Sequence, residues 1–139
     1  MNILLPMIYI RFSCISLALA VVLGSMGAHA MKPHLSPEAM NSWDTAVKYQ
    51  FYQSLGLLVL AIAGRAVKVR PEVHVWSLRA LTVGIIFFSG SLYVRSSTAV
   101  TGIDFSWLGP IAPTGGLLFI AGWMLAAFSY QKEIQSKSV

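Results

Sequence analysis

Seven polar side chains lie within otherwise apolar stretches of this sequence, and their functional groups are an imidazole, two amides and four hydroxyls. Each of these groups donates or accepts hydrogen bonds, and in apolar surroundings each needs a partner. That partner is either another side chain or a bound polar molecule. The residue types therefore predict binding of a small polar molecule or hydrogen bonding between chain segments. The seven residues are His29, Gln50, Gln53, Ser89, Ser91, Tyr93 and Thr114.

The acidic residues are placed differently from these seven side chains. All of them lie in the polar stretches between the apolar segments or at the segment ends. Because no acid falls inside an apolar segment, the sequence offers no buried carboxylate for a proton relay. This placement counts against an ion-driven pump. The acids are Glu38, Asp44, Glu72, Asp104 and Glu133.

Metal binding and nucleophilic catalysis have little support in the sequence. Cys14 is the single cysteine, which excludes an internal disulfide or a CxxC metal site, and we interpret it as a small apolar side chain. His29 and His34 have no third ligand nearby in the sequence. His74 lies in a basic loop and is expected to be solvated. We therefore predict no metal, no cofactor and no enzymatic activity.

The elements that must position these residues are apolar segments long enough to cross a membrane. The chain is 56% hydrophobic and only 11% charged, whereas soluble domains carry about 25% charged residues. A helix rises about 1.5 Å per residue and the hydrocarbon core is roughly 30 Å thick, so each span needs about twenty residues. We predict one all-α membrane domain, residues 1–139, built as a four-helix bundle. Its spans are 12–31, 45–64, 76–94 and 110–130.

The basic residues predict the orientation of the four spans. Lys and Arg are enriched in cytoplasmic loops. One side of the bundle carries Arg11, Arg65, Lys68, Arg70, Arg79, Lys132 and Lys137, and the other carries only Lys32, Lys48 and Arg95. Both termini are therefore predicted to be cytoplasmic. Because the basic residues flank membrane segments and form no stripe with interleaved aromatic residues, nucleic acid is not an expected partner.

The segment GAHA, residues 27–30, has two interpretations. Small residues at Ala28 and Ala30 after an apolar run resemble a signal-peptide cleavage site. Ten mostly apolar residues precede Arg11, however, where a signal peptide would have its charged region. The alternative is that these residues form the outer end of a retained first helix.

The residues after this segment contain a helix-start pattern. Ser36 is a suitable N-cap, Pro37 fits the first helical turn, and Glu38 suits the positive end of the helix dipole. The second helix is thus expected to begin before the membrane, with residues 37–44 either protruding or lying along the surface.

Small residues recur at a spacing of four on two of the predicted helices. Small side chains let helix backbones approach closely in lipid. These positions predict helix-packing faces, either within the chain or in a homo-oligomer. They are Ala20, Gly24 and Ala28 on the first helix and Ala112 and Gly116 on the fourth.

Four segments together resemble a known family. LGSMGAHA at 23–30, LSPEAMNSWDTAVKYQ at 35–50, FSGSLY at 88–93 and PTGGLLFIAGW at 113–123 are similar to the domain-of-unknown-function 423 family, which includes transmembrane protein 256-like chains. The resemblance implies a four-helix protein of the bacterial inner membrane, and it implies that GAHA belongs to a retained helix. The chain departs from the family where Gln53 replaces a usual histidine and Ala112 a usual threonine.

Two functional classes agree with these observations. The first is a structural or interaction protein that binds membrane lipids or a larger membrane complex. The second is an oligomeric pore or carrier for a small polar solute, in which the seven polar residues converge near the outer surface. The absence of recognisable catalytic groups places an enzyme behind both.

Overall fold

The computed structural model describes residues 4–131 as an almost entirely helical chain. The predicted orientation includes Lys132 and Lys137, and the predicted placement of the acids includes Glu133; these three residues lie outside the described range. The main helices are α1 (Leu4–Met26), α2 (Pro37–Ala66), α3 (Pro71–Ser96) and α5 (Ile111–Ser129). The remaining helical elements are a π-helical turn (Gly27–Met31) that extends α1, the short α4 (Thr98–Thr101) and a 3₁₀ turn (Ser106–Leu108).

Four of the helical segments are long and apolar enough to cross a membrane. They run over Pro6–Met31, Pro37–Ala66, Pro71–Ser96 and Ser106–Ser129. Large apolar side chains cover their outer surfaces, among them Ile8, Val21, Val59, Leu117 and Phe128, each more than half exposed. Such a surface is stable against lipid and unstable against water. The prediction of an all-α, polytopic membrane protein with four transmembrane helices is confirmed.

The helix boundaries follow from local chemistry. The side-chain oxygen of Ser36 accepts a hydrogen bond from the backbone N–H of Ala39 at 3.2 Å, as an N-cap does. Pro37 and Pro71 occupy the first positions of α2 and α3, where a missing N–H has no cost. With 30 residues, α2 is about 45 Å long and exceeds the hydrocarbon core. Its first turns therefore extend toward the headgroup region.

The two central helices are α2 and α3. Helix α1 packs on α2, and α5 packs on α3. The core between them contains Leu57, Leu60, Leu81, Ile85 and Phe119.

We call the two ends of the bundle the terminal end and the distal end. The terminal end contains the start of α1, the loop between α2 and α3, and the end of α5. Here Arg70 N–H donates to the Ser129 carbonyl at 2.8 Å, and Gln131 N–H donates to the Lys68 carbonyl at 3.1 Å. These bonds join the α2–α3 loop to the end of α5. The distal end contains residues 27–36 and 97–110.

His74 is buried, which corrects the expectation of a solvated histidine. Its exposed fraction is 1%, because α3 already begins at Pro71 and turns this side chain toward α2 and α5. Nδ1 of His74 lies 3.3 Å from Oγ of Ser129 on α5. The ring also lies against Gly64 of α2, where an added Cβ would come within 2.8 Å of Cδ2.

The small residues on α1 are placed as follows. Ala20 is buried, and a Cβ on Gly24 would lie 3.3 Å from Val47 on α2. Ala28 is exposed, because the chain has entered the π-helical turn there and Gly27 takes the buried position against Trp43.

The small residues on α5 differ from the expected spacing of four. Ala112 is buried, but the close approach to α3 is made by Gly115 rather than Gly116. An added Cβ at Gly115 would lie 2.8 Å from Cα of Phe88, whereas one at Gly116 would first meet Phe88 at 3.9 Å. Gly122 continues the same face against Leu81. The packing face of α5 thus alternates steps of three and four residues.

Candidate functional site

The polar interior is centred on the side chain of Gln50, which is 6% exposed. Its Nε2 donates to the Ser16 carbonyl at 2.9 Å and to Oγ of Ser16 at 3.3 Å. Its Oε1 accepts a hydrogen bond from the Tyr93 hydroxyl at 2.7 Å. Oγ of Ser54 donates to Oγ of Ser16 at 2.7 Å. We call Ser16, Gln50, Ser54 and Tyr93 the Gln50 network, and it joins α1, α2 and α3.

Neighbouring contacts hold the Gln50 network in position. Oγ of Ser89 donates to the Ala46 carbonyl at 2.9 Å, which fixes α3 against α2 one turn from Gln50. The indole N–H of Trp43 donates to the Leu23 carbonyl at 2.9 Å and so ties α2 to α1. The rings of Trp43 and Tyr93 meet edge to face, with centroids 4.9 Å apart. Tyr93 therefore points its hydroxyl toward Gln50 from a packed ring.

The structure brings three of the seven predicted site residues together and separates the other four. Gln50, Ser89 and Tyr93 lie at the α1–α2–α3 junction. Gln53 faces α5, where its Oε1 accepts from the Trp123 indole N–H at 2.8 Å. The other three are His29, which is exposed, and Ser91 and Thr114, whose hydroxyls donate to carbonyls of their own helices at 3.0 and 2.9 Å.

Ser16 and Ser54 belong to the Gln50 network, although neither is among the site residues predicted from the sequence. On α1, Ser13, Ser16 and Ala20 are buried at spacings of three and four. That spacing marks one face of a helix, so the two serines extend the small-residue face of Ala20 toward the terminal end. Because serine is nearly as small as the alanine and glycine on this face, the sequence does not distinguish a serine that only packs from one whose hydroxyl forms a hydrogen bond.

A second set of interhelical hydrogen bonds lies nearer the terminal end. Oγ of Ser77 on α3 donates to the Gly122 carbonyl on α5 at 2.9 Å. The His74–Ser129 contact follows one turn away. Just beyond α5, burial raises the pKa of the Tyr130 phenol. The hydrogen bonds of this region join α3 to α5.

An apolar groove lies beside the Gln50 network, between α1 and α3. Its volume is about 280 Å³, and apolar side chains including Phe12, Ile15, Leu19 and Ile86 line it. Gln50 lies on its floor, but the polar atoms of the floor are already hydrogen bonded. The groove opens on the outer surface of the bundle at the depth of the membrane spans. We call it the α1–α3 groove.

Within residues 4–131, no three or more His, Cys, Asp or Glu side chains come together in a way that could hold a metal ion. The single cysteine, Cys14, is exposed on the outer surface of α1. The interhelical polar contacts of the described interior are hydrogen bonds of hydroxyl, amide, indole and imidazole groups.

Four apolar helices around a hydrogen-bonded interior define a small polytopic α-helical membrane protein. A family model described as a protein of unknown function (DUF423) matches residues 23–116. The chain therefore belongs to this family, and the resemblance seen in its sequence is confirmed.

Curated relatives match almost end to end. A UPF0382 membrane protein of Staphylococcus haemolyticus is 35% identical, over 88% of this chain and 93% of the relative. The UPF0382 membrane protein YwdK of Bacillus subtilis is 36% identical, over 85% of this chain and 91% of the relative. The UPF0382 inner membrane protein YgdD of Escherichia coli is 33% identical over 82% of both chains. No solved structure matches this chain.

Proposed function

We propose that this protein is a structural or interaction component of the membrane that binds lipid along its helices and catalyses no reaction. The observation that carries this proposal is that both the nitrogen and the oxygen of the Gln50 side-chain amide are already hydrogen bonded within the chain. Its amide N–H groups are taken up by Ser16, and its amide oxygen by Tyr93. A side-chain amide whose donors and acceptor all bond to other helices stabilises helix packing and has little hydrogen-bonding capacity left for a passing solute.

The α1–α3 groove supports lipid as the binding partner. The groove lies on the surface of helices that span the membrane, and its lining is apolar. In a bilayer, the molecules that meet such a surface are acyl chains. An acyl chain fills an apolar groove without leaving any polar group unpaired. We therefore propose a lipid acyl chain as the occupant of the α1–α3 groove.

The proposed location is the bacterial inner membrane, with both termini in the cytoplasm. The named inner-membrane relative of Escherichia coli supports the compartment. Arg65, Lys68 and Arg70 cluster at the terminal end and support the orientation, since basic residues are retained on the cytoplasmic side. The proposed partners are membrane lipids and further copies of the chain or a larger membrane complex, and not nucleic acid.

The experiment that tests lipid binding fills the α1–α3 groove with a larger side chain. Ile86→Trp places an indole in the groove, and Leu117→Trp makes the same kind of change on the exposed surface of α5. Native mass spectrometry of each protein, extracted from its membrane, measures the number of retained lipids. We expect Ile86→Trp to retain fewer lipids than the original chain, and Leu117→Trp to retain the same number.

The same preparations test the alternative of an oligomeric pore or carrier. Glycerol and urea flux is measured by stopped-flow light scattering in proteoliposomes containing the original chain or Gln50→Leu. Flux that depends on Gln50, together with unchanged lipid retention in Ile86→Trp, would replace the lipid-binding proposal by the pore. Flux equal to that of empty liposomes supports the proposal.

A further inference from the structure

A polar pocket at the distal end is separate from the α1–α3 groove. It has a volume of about 230 Å³, many times the room that one water needs. Ser36, Glu38 and Ser42 line it from the first turns of α2, and Arg95 and Ser96 line it from the end of α3. We call it the distal pocket.

The distal pocket contains groups that attract a phosphate. Arg95 is exposed and lines the pocket from the end of α3. The first turn of α2 presents the positive end of a helix dipole, although Pro37 has no N–H and the N–H of Ala39 is already bonded to Ser36. Arginine and helix N-termini are both common ligands of phosphate oxygens.

Ser96 provides an independent indication of a ligand. Its side chain is 3% exposed, and its Oγ has no hydrogen-bond partner in the described chain. A buried hydroxyl without a partner is unfavourable, and a bound molecule that hydrogen bonds to it would remove this cost. Serines 89, 91 and 97 on the same stretch of chain all donate to backbone carbonyls. Ser96 differs from them and lines the distal pocket.

The acidic group in the pocket determines what accompanies the phosphate. Glu38 also lines the pocket and is exposed. Its carboxylate repels an isolated anion and attracts an ammonium group. A ligand with a phosphate beside Arg95 and an ammonium beside Glu38 matches both charges.

We propose that the distal pocket binds a phosphoethanolamine group, with the phosphate held by Arg95, Ser96 and the start of α2, and the ammonium held by Glu38. The pocket lies where two spans end, which is the depth of lipid headgroups. This inference rests on the proposed lipid-binding role and names the headgroup that is recognised. The same group also occurs on soluble molecules, so the source is part of the test.

The test measures binding of two lipids by native mass spectrometry in detergent. Dioleoyl-phosphatidylethanolamine carries both charges, and dioleoyl-phosphatidylglycerol carries the phosphate alone. We expect the original chain to bind the ethanolamine lipid more tightly. Arg95→Gln should weaken this binding about tenfold, the factor expected for loss of one charge-assisted hydrogen bond. Glu38→Gln should remove the preference between the two lipids.

Three further variants separate binding from folding. Lys32→Gln removes a positive charge at the same end without altering the pocket, and should leave binding unchanged. Ser96→Ala should weaken binding while the Tm of the lipid-free protein stays the same or rises, because its hydroxyl bonds to nothing in the chain. Ile86→Trp tests the α1–α3 groove and should leave the headgroup preference intact.

Each outcome decides between specific alternatives. Equal binding of both lipids by the original chain, or binding unaffected by Arg95→Gln, overturns the headgroup site and leaves the proposed groove standing. If lipid retention falls in Ile86→Trp but not in Arg95→Gln, the result supports the α1–α3 groove and overturns the headgroup site. If soluble glycerophosphoethanolamine raises the Tm of the original chain but not of Arg95→Gln, the phosphoethanolamine site is supported, and it accepts a soluble ligand as well as the lipid.

Discussion

Gln50 connects three helices through one side chain. An amide in the membrane interior is costly unless both its N–H groups and its oxygen are hydrogen bonded. Here Ser16 accepts from the nitrogen and Tyr93 donates to the oxygen. The position of α1 against α2, and of α3 against α2, is therefore set partly by the requirements of one residue.

Tyr93→Phe tests the Gln50 network by removing the donor to Gln50 Oε1. We expect a loss of about 0.6–1.7 kcal/mol in the free energy of unfolding, the range found for hydrogen bonds between membrane helices. SDS titration of the purified protein measures this loss. Thr114→Val is the control, because that hydroxyl is exposed and donates to its own helix. Equal losses in the two variants would contradict the special role of the Tyr93–Gln50 bond.

Ser13 and Ser16 provide a matched pair on one face of α1. Both are buried, but Oγ of Ser13 has no partner in the described chain, whereas Oγ of Ser16 bonds to Ser54 and Gln50. We expect Ser13→Ala to stabilise the fold by about 1 kcal/mol and Ser16→Ala to destabilise it by a similar amount. The same SDS titration compares the two variants. A loss of stability in both would show that Ser13 has a partner after all.

At the scale of elements, the close packing of α3 and α5 depends on glycine. Lipid gives no hydrophobic drive between helices, so backbone approach and van der Waals contact hold them together. Gly115 lies against the backbone of Phe88, and Gly122 lies against Leu81. The backbone of Phe88 cannot move away from Gly115 without shifting α3. This contact differs from that of α1 and α2, where Trp43 fills the space beside Gly27.

Adjacent glycines on α5 test this packing with the same substitution. Gly115→Ala places a methyl group 2.8 Å from Cα of Phe88 and should destabilise the fold by about 1–3 kcal/mol, the usual cost of overpacking. Gly116→Ala meets nothing closer than 3.9 Å and should be neutral or stabilising by up to about 1 kcal/mol through helix propensity. Thermal unfolding in detergent distinguishes the two. A reversed order would place the α3–α5 contact on the other face of α5.

At the scale of the whole molecule, an even number of spans brings the start of α1 and the end of α5 to the terminal end. The α2–α3 loop lies at the same end and is bonded to the end of α5. The distal end contains the two connections 27–36 and 97–110, together with the distal pocket. The bundle therefore has one end rich in basic residues and one end with a polar pocket.

Single-cysteine labelling tests the proposed orientation of these ends. In a Cys14→Ser background, Lys68→Cys is at the terminal end and Thr101→Cys at the distal end, and both positions are exposed. A membrane-impermeant maleimide should label residue 101 in spheroplasts and residue 68 only after lysis. Labelling of residue 68 in intact spheroplasts would place the terminal end outside and overturn the orientation.

The sequence by itself determined four membrane spans, the helix start at Ser36 and the family, because hydropathy, capping and motifs are properties of short segments. It also determined that Gln50 and Gln53 need partners, but only the tertiary structure decided which ones. Three residues along a helix rotate a side chain by about 300°, so Gln50 meets Ser16 and Tyr93 while Gln53 meets Trp123.

The same reason explains the other differences. One residue along α5 turns the chain by about 100°, which decides between Gly115 and Gly116. The burial of His74 depends on Gly64 and Ser129, which come from two other helices. Local pattern fixes what a segment is, whereas the rotation and order of packed helices fix which residues touch, and that order is set by contacts far apart in the chain.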